Sequence, residues 1–349
     1  MARHGKPADL MCLPIGSTLA NLACSGDPFG GFPLGKYVFF VGDSNSGKTF
    51  VGLTCLAEAA NDKRFDGYRL IHDDVEGGAL MDMERFFGTR MADRLESPAV
   101  DSKGDPVYSS TVEDFYYHLD DALSGDRPCV YVLDSQDGLS SRAEMEKFAE
   151  TKKLHRKGKS ASGSYGDAKA KVHSANIRKF IRPLEETGSL LIVLNQTRDS
   201  FDMFERSTYS GGRALKFYSA LQLWTSVEGQ VTRQVRGKTR QLGIRCKIRV
   251  KKNRLTGKDR TVSITIHHSH GIDDVGSCVD YLVREGVWKK SKTGKVTVTG
   301  LGPSWEGGQE AVVGRIEERG MERDVRLLVG ETWNEIERAC EVPRKKRYE

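Results

Sequence analysis

Gly42, Asp43, Ser44, Asn45, Ser46, Gly47, Lys48 and Thr49 satisfy the spacing G-x-x-x-x-G-K-[ST]. Each type in that pattern has a chemical reason. The glycines let backbone N–H groups approach an anion, and a helix N-terminus behind them adds the positive end of its dipole. Lys48 has the length to reach β- and γ-phosphates, and the Thr49 hydroxyl is a Mg²⁺ ligand. A second acidic group stands at Asp134, which ends the apolar run CVYVLD at 129–134. A carboxylate at such a tip holds the Mg²⁺ shell through water. Together the two stretches call for ATP with Mg²⁺.

Two further clusters lie at strand tips. Asp73, Asp74 and Glu76 follow the short apolar run Tyr68 to His72, and Asn195, Gln196, Thr197 and Arg198 follow Leu190 to Leu194. In open α/β sheets the carboxyl ends of the strands carry the ligands. A polar amide at the second tip can sense a γ-phosphate and pass its presence to the segment that follows.

The elements that must position these groups are legible as patterns. Tyr37 to Val41 is apolar, β-branched and aromatic, as expected of a strand buried on both faces of a parallel sheet, and Phe50 to Ala60 can continue from the loop as a helix. Short helices are expected at Ile15 to Cys24, Gly78 to Phe87 and Ser174 to Leu184, while 90–113 is too polar to assign. Cys246 to Lys252 and Thr261 to His267 alternate like a hairpin turning at LTGKD. Helices are expected at Val279 to Glu285 and Arg326 to Cys340. His267, His268 and His270 read as a strand end entering a turn, with no carboxylate or thiol at ligand spacing.

At 349 residues the chain exceeds one core, so a large domain with a smaller companion is expected. Seven scattered cysteines without a C-x-x-C pair argue for reduced thiols. The start MARHGKPADLM lacks a signal-peptide core, and no apolar run reaches the length of a membrane span, so a cytoplasmic location without membrane contact is expected. Net charge is only +6, but basic clusters at 152–159, 233–260 and 344–347 suit a polyanionic partner.

Several stretches together resemble the bacterial RecA family of recombinases, from about Ile15 to about Lys292. GDSNSGKT resembles the phosphate loop, DDVEGGAL the catalytic-glutamate segment, VYVLDSQDGLSSRAEME the magnesium-aspartate strand, and LLIVLNQTRD the sensor strand. SGGRALKFYSA, VKKNRLTG and HGIDDVGSCVDYLVREGVW are the most specific matches.

The resemblance implies an α/β fold, a RecA-like phosphate-loop core with a mostly parallel central sheet and helices on both faces, plus a small C-terminal α/β domain. Its divisions would be a short N-terminal segment at 1–30, the core at 31–270, and a C-terminal domain with a basic tail at 271–349. It implies a DNA-dependent ATPase that binds single-stranded DNA, pairs it with a homologous duplex, and self-associates into a filament or ring with ATP at the protomer interface. Glu76 would be the general base, with Asp74 its rival on the same tip, and Gln196 the γ-phosphate coupler. Lys252 and Arg254 would reach across to a neighbour's ATP.

DNA contacts would come from a first loop at 150–172, with Lys171 and Arg178, and a second at 198–213. In the second, Arg198, Gly211, Gly212 and Arg213 would meet the backbone and Met203 or Phe204 would wedge between bases. Four features depart from the family: about ten residues before the core, MDMERFF where an adenine-stacking tyrosine stands, a longer and more basic first loop, and a basic tail. An ATP-gated annealing or loading factor and a ring helicase are the competing readings.

Overall fold

The structure, a computed structural model, describes residues 10–157, 168–199, 207–209 and 211–345. Its centre is a sheet with the strand order Gly271–Asp273, Arg260–His267, Lys238–Asn253, Leu221–Val235, Tyr37–Gly42, Leu190–Asp199, Cys129–Asp134, Arg69–Asp74, Leu95–Glu96. From Leu221–Val235 to Leu95–Glu96 every pairing is parallel, and the other end of the sheet is antiparallel.

The central strands Tyr37–Gly42 and Cys129–Asp134 and the start of Leu190–Asp199 are apolar because helices cover both faces, and their side chains divide by alternation. Val38, Phe40, Val130, Val132, Ile192 and Leu194 join one core with the Lys48–Asn61 helix. Tyr37, Phe39, Val41, Tyr131, Leu133, Leu191 and Val193 join a second core with the helices Val112–Ser124 and Ala168–Thr187. Burying each Leu or Phe removes it from water at about 1.5–3 kcal/mol, so this two-sided packing fixes the sheet that presents the tips.

The expected strands at Tyr37 and Cys129 form, every residue of each buried. Elsewhere the structure corrects the reading. The helix expected from Gly78 begins only at Met83, because Gly77 takes φ +59° and Asp82 caps Arg85 N–H at 3.0 Å. The unassigned stretch holds the helix Thr89–Arg94, the edge strand Leu95–Glu96, and the start of Val112–Ser124, whose Thr111 and Asp114 form a reciprocal cap.

The hairpin partner of Arg260–His267 is far longer than expected, and pairs on its other side with Leu221–Val235 through a turn at Arg236 and Gly237, both at positive φ. Beyond 273, the helices Asp274–Arg284, Gln309–Glu318 and Glu322–Ala339 flank a three-stranded antiparallel sheet. Glu337 ties the last helix to the central sheet by a bidentate pair with Arg260, at 2.5 and 2.7 Å, and by Lys258. Among the described residues no helix is long and apolar enough to cross a membrane.

Candidate nucleotide site and nucleic-acid face

Register brings the strand tips together, since Gly42 pairs with Gln196 and with Thr225, and Asp74 with Asp134. The Tyr37–Gly42 strand lies between Leu190–Asp199 and Leu221–Val235, a crossover point of the kind where such sheets bind ligands. Asp43, Ser44 and Asn45 are exposed at the loop's crest, and Asn45 and Gly47 take φ +60° and +82°. A Cβ on Gly42 would lie 2.2 Å from Thr225 Cγ2, and one on Gly47 2.6 Å from Ile266 Cδ1. Only glycine fits either place.

Lys48 opens the helix behind the loop. Its buried ammonium donates to the carbonyls of Gly42 (2.8 Å) and Asp43 (2.7 Å). Burial lowers its pKa, while the carboxylates of Asp134, Asp43 and Glu76 oppose that shift and hold the charge. Ser46 closes the turn on Asp43 O (2.7 Å), and Thr197 Oγ1 donates to Asp43 Oδ1 (2.5 Å), fastening the loop to the Leu190–Asp199 strand. Thr49 follows in the first turn, half-buried. A glycine-lined loop at a helix N-terminus with a buried lysine and a facing carboxylate fits a triphosphate with its Mg²⁺.

The acidic residues at the neighbouring tips do different things. Asp73 is fully buried and accepts from Ser109 N–H (2.9 Å), Ser109 Oγ (2.6 Å) and Tyr131 Oη (2.8 Å). Asp74 accepts from the N–H groups of Gly78 (3.0 Å) and Ala79 (3.1 Å). Both carboxylates are engaged in holding backbone. Glu76 is exposed and is held by side chains alone, accepting from Ser135 Oγ and from Gln196 Nε2 at 3.2 Å. Asp134 is buried, with His72 Nε2 3.6 Å from its Oδ2. Thr197 was named with its strand tip but given no role, and Thr225 had no local signal in the sequence.

Lys252 and Arg254 do not join this group within one chain. Lys252 pairs with Gln222, which pairs with Phe39, whereas the 42–49 loop leaves at Gly42. The Lys252 ammonium donates to the carbonyls of Lys216 (2.7 Å), Phe217 (2.8 Å) and Ser219 (2.7 Å), and Arg254 donates to Phe217 O (2.7 Å). Burial, with Arg254 and Lys216 nearby, pulls the Lys252 pKa down to about 8.

Lys171 and Arg178 are exposed two turns apart on the Ala168–Thr187 helix, opposite the buried His173, Ile177, Phe180 and Leu184. Arg213 is exposed at the start of the helix Arg213–Tyr218, just after Gly211 and Gly212, both at positive φ. Met203 and Phe204 lie outside the described residues, as does the Arg198 side chain. In the MDMERFF stretch, Phe86 and Phe87 turn their rings onto Phe50 of the phosphate-loop helix, with centroids 5.8 and 5.0 Å away.

The family model for the RecA N-terminal domain matches residues 130–273, from the Asp134 strand to the hairpin. The chain is 28% identical to Protein RecA of Lactiplantibacillus pentosus over 269 residues, 75% of this chain and 62% of that one, so it spans less than two thirds of that relative. It is 28% identical to Protein RecA of Frankia casuarinae, covering 81% of this chain and 73% of that one. For Protein RecA of Cytophaga hutchinsonii the identity is 27%, over 81% and 71%. With the parallel sheet, the glycine-bearing loop and the acidic tips at its crossover, these matches show a chain similar to the RecA family.

Proposed function

We propose that this protein is an ATP-dependent recombinase that binds single-stranded DNA and promotes its pairing and strand exchange with a homologous duplex. The observation that carries the reading is the Gln196–Glu76 hydrogen bond. It joins the carboxylate best placed to act on water to the strand that leads into one DNA segment. Residues 31–270 would form the ATPase and DNA-binding core, 271–349 an appended domain, and the site of action would be the cytoplasm.

ATP would sit on the 42–49 loop, with Lys48 on its phosphates and Mg²⁺ between Thr49 and the Asp134 shell. When bound, Mg²⁺ neutralises and aligns the phosphate oxygens. Glu76 takes the proton from the attacking water as general base, with Ser135 and Gln196 fixing the orientation of its carboxylate. Gln196 can exchange Glu76 for a γ-phosphate oxygen, and that exchange shifts the strand entering the second DNA segment. Lys252 and Arg254 are held by carbonyls of the 216–219 stretch rather than by their own 42–49 loop, which supports a role toward the ATP of a neighbouring protomer in a filament or ring. Lys171, Arg178 and Arg213 meet DNA phosphates, leaving bases free to pair.

The test is hydrolysis with Mg²⁺ and ATP, with and without single-stranded DNA, followed by strand exchange. A rise in turnover on adding DNA, lost in Lys48→Ala, supports the reading. No rise in the wild type rejects it.

A further inference from the structure

Two polar side chains outside the proposed ATP chemistry are buried between the catalytic tip and both DNA segments. Gln136 and His173 are each 0% exposed. Gln136 follows Ser135, which holds Glu76, and its Nε2 lies 3.0 Å from His173 Nε2. The other ring nitrogen, Nδ1, lies 2.9 Å from Tyr116 Oη. An amide nitrogen only donates, so with the amide in this orientation His173 Nε2 is the acceptor and the proton sits on Nδ1, facing Tyr116. Burial pushes the ring down to about 3, so it is neutral in ordinary buffers and remains an acceptor for Gln136.

The same amide touches the second segment. A Cβ on Gly211, at φ +90°, would lie 2.8 Å from Gln136 Nε2, so the Gly211 backbone lies directly against the amide. A Cβ on Gly212 would lie 2.9 Å from that of Ala170, on the His173 helix. Lys169, on that helix too, donates to Asp137 O at 3.2 Å. The helix bearing Lys171 and the turn before Arg213 therefore converge on one side chain, itself next to the serine that holds Glu76.

We propose that Gln136 and His173 are a positioning pair that sets both DNA segments relative to the catalytic tip, so that nucleotide state changes both together. This rests on the recombinase reading above. Gln136 is the shared contact and His173 holds its amide against the helix, with the Lys169 contact to Asp137 O beside it.

The experiment measures affinity for a fluorescent oligo(dT) with and without a slowly hydrolysed ATP analogue, in wild type, His173→Met, His173→Gln, Gln136→Leu and the double variant Gln136→Leu/His173→Met. Affinity for a fluorescent ATP analogue and the thermal midpoint are measured in parallel. Each single apolar variant is expected to reduce the nucleotide-dependent gain in DNA affinity roughly tenfold while still binding nucleotide. His173→Gln, which keeps an acceptor, is expected to restore most of it.

The double variant removes both members of the Gln136–His173 hydrogen bond, still leaving Tyr116 Oη without its His173 partner, and is expected to recover part of the thermal stability lost in His173→Met but not the gain. Recovery of both, or a wild-type gain in His173→Met, overturns the proposal and leaves a packing role. A wild type whose DNA affinity ignores nucleotide instead rejects the recombinase reading, a result visible before any variant is compared.

Discussion

The Asp74 carboxylate accepts the Gly78 N–H at 3.0 Å and the Ala79 N–H at 3.1 Å, which turns it away from the water-activating role that its neighbour two residues on can fill. Glu76 carries no backbone duty and meets Gln196 instead.

These two carboxylates should therefore separate cleanly on substitution. Glu76→Gln is expected to bind ATP and lose turnover by a factor of at least about 100, the scale of general-base catalysis. Asp74→Asn is expected to lose about 1 kcal/mol of stability and retain most turnover. Steady-state hydrolysis and thermal unfolding of both variants check this, and the reverse pattern would make Asp74 the base.

Lys171 and Arg178 share an exposed helical face, so each is expected to contribute one phosphate contact. Alanine at either should weaken binding to single-stranded DNA of any sequence and reduce the salt slope by about 0.7. Titrations at several salt concentrations measure it. An unchanged slope takes that side chain off the DNA path.

Lys252 is held by the carbonyls of Lys216, Phe217 and Ser219 rather than by its own 42–49 loop, so the active site is expected to be composite. Lys252→Ala and Glu76→Gln should each be inactive alone. Mixed in equal amounts, they should recover activity at about one interface in four, where the intact halves meet. Absence of recovery, with co-assembly shown by cross-linking, places the function of Lys252 within its own chain, on the Lys216, Phe217 and Ser219 carbonyls.

Glu337 offers a pH test of how the last helix is held. Arg260 and Lys258 pull its carboxyl from 4.5 down to about 2. A depressed folded value means the stabilisation is fully present above the unfolded value and is lost as pH falls from 4.5 toward 2. Glu337→Gln should cost about 1 kcal/mol at neutral pH, after allowance for solvent screening. The difference from wild type should disappear across that acidic window in denaturant unfolding. A constant difference from pH 7 to 2 would assign the effect to packing.

Much of the site was written locally. The strand at 129–134 runs over the residues read for it, and the 42–49 loop has the strand and helix its motif requires, because a two-sided buried strand is apolar throughout and a glycine-bearing loop needs no distant partner to be recognised. Local signals failed where the partner is remote. The long strands Leu221–Val235 and Lys238–Asn253 carry polar residues along much of their length and are held by each other, so alternation showed only their buried ends. Val112–Ser124 was hidden because its apolar face is aromatic and interrupted by acids on the solvent side.

The sequence by itself determined that a G-x-x-x-x-G-K-T loop and acidic strand tips exist. Only the tertiary structure decided which acid is spent on backbone, that Lys252 is held by the Lys216, Phe217 and Ser219 carbonyls, and that Gln136 and His173 meet. Those outcomes depend on strand order and register, and strand order is set by contacts between residues far apart in the chain, which no short window of letters contains.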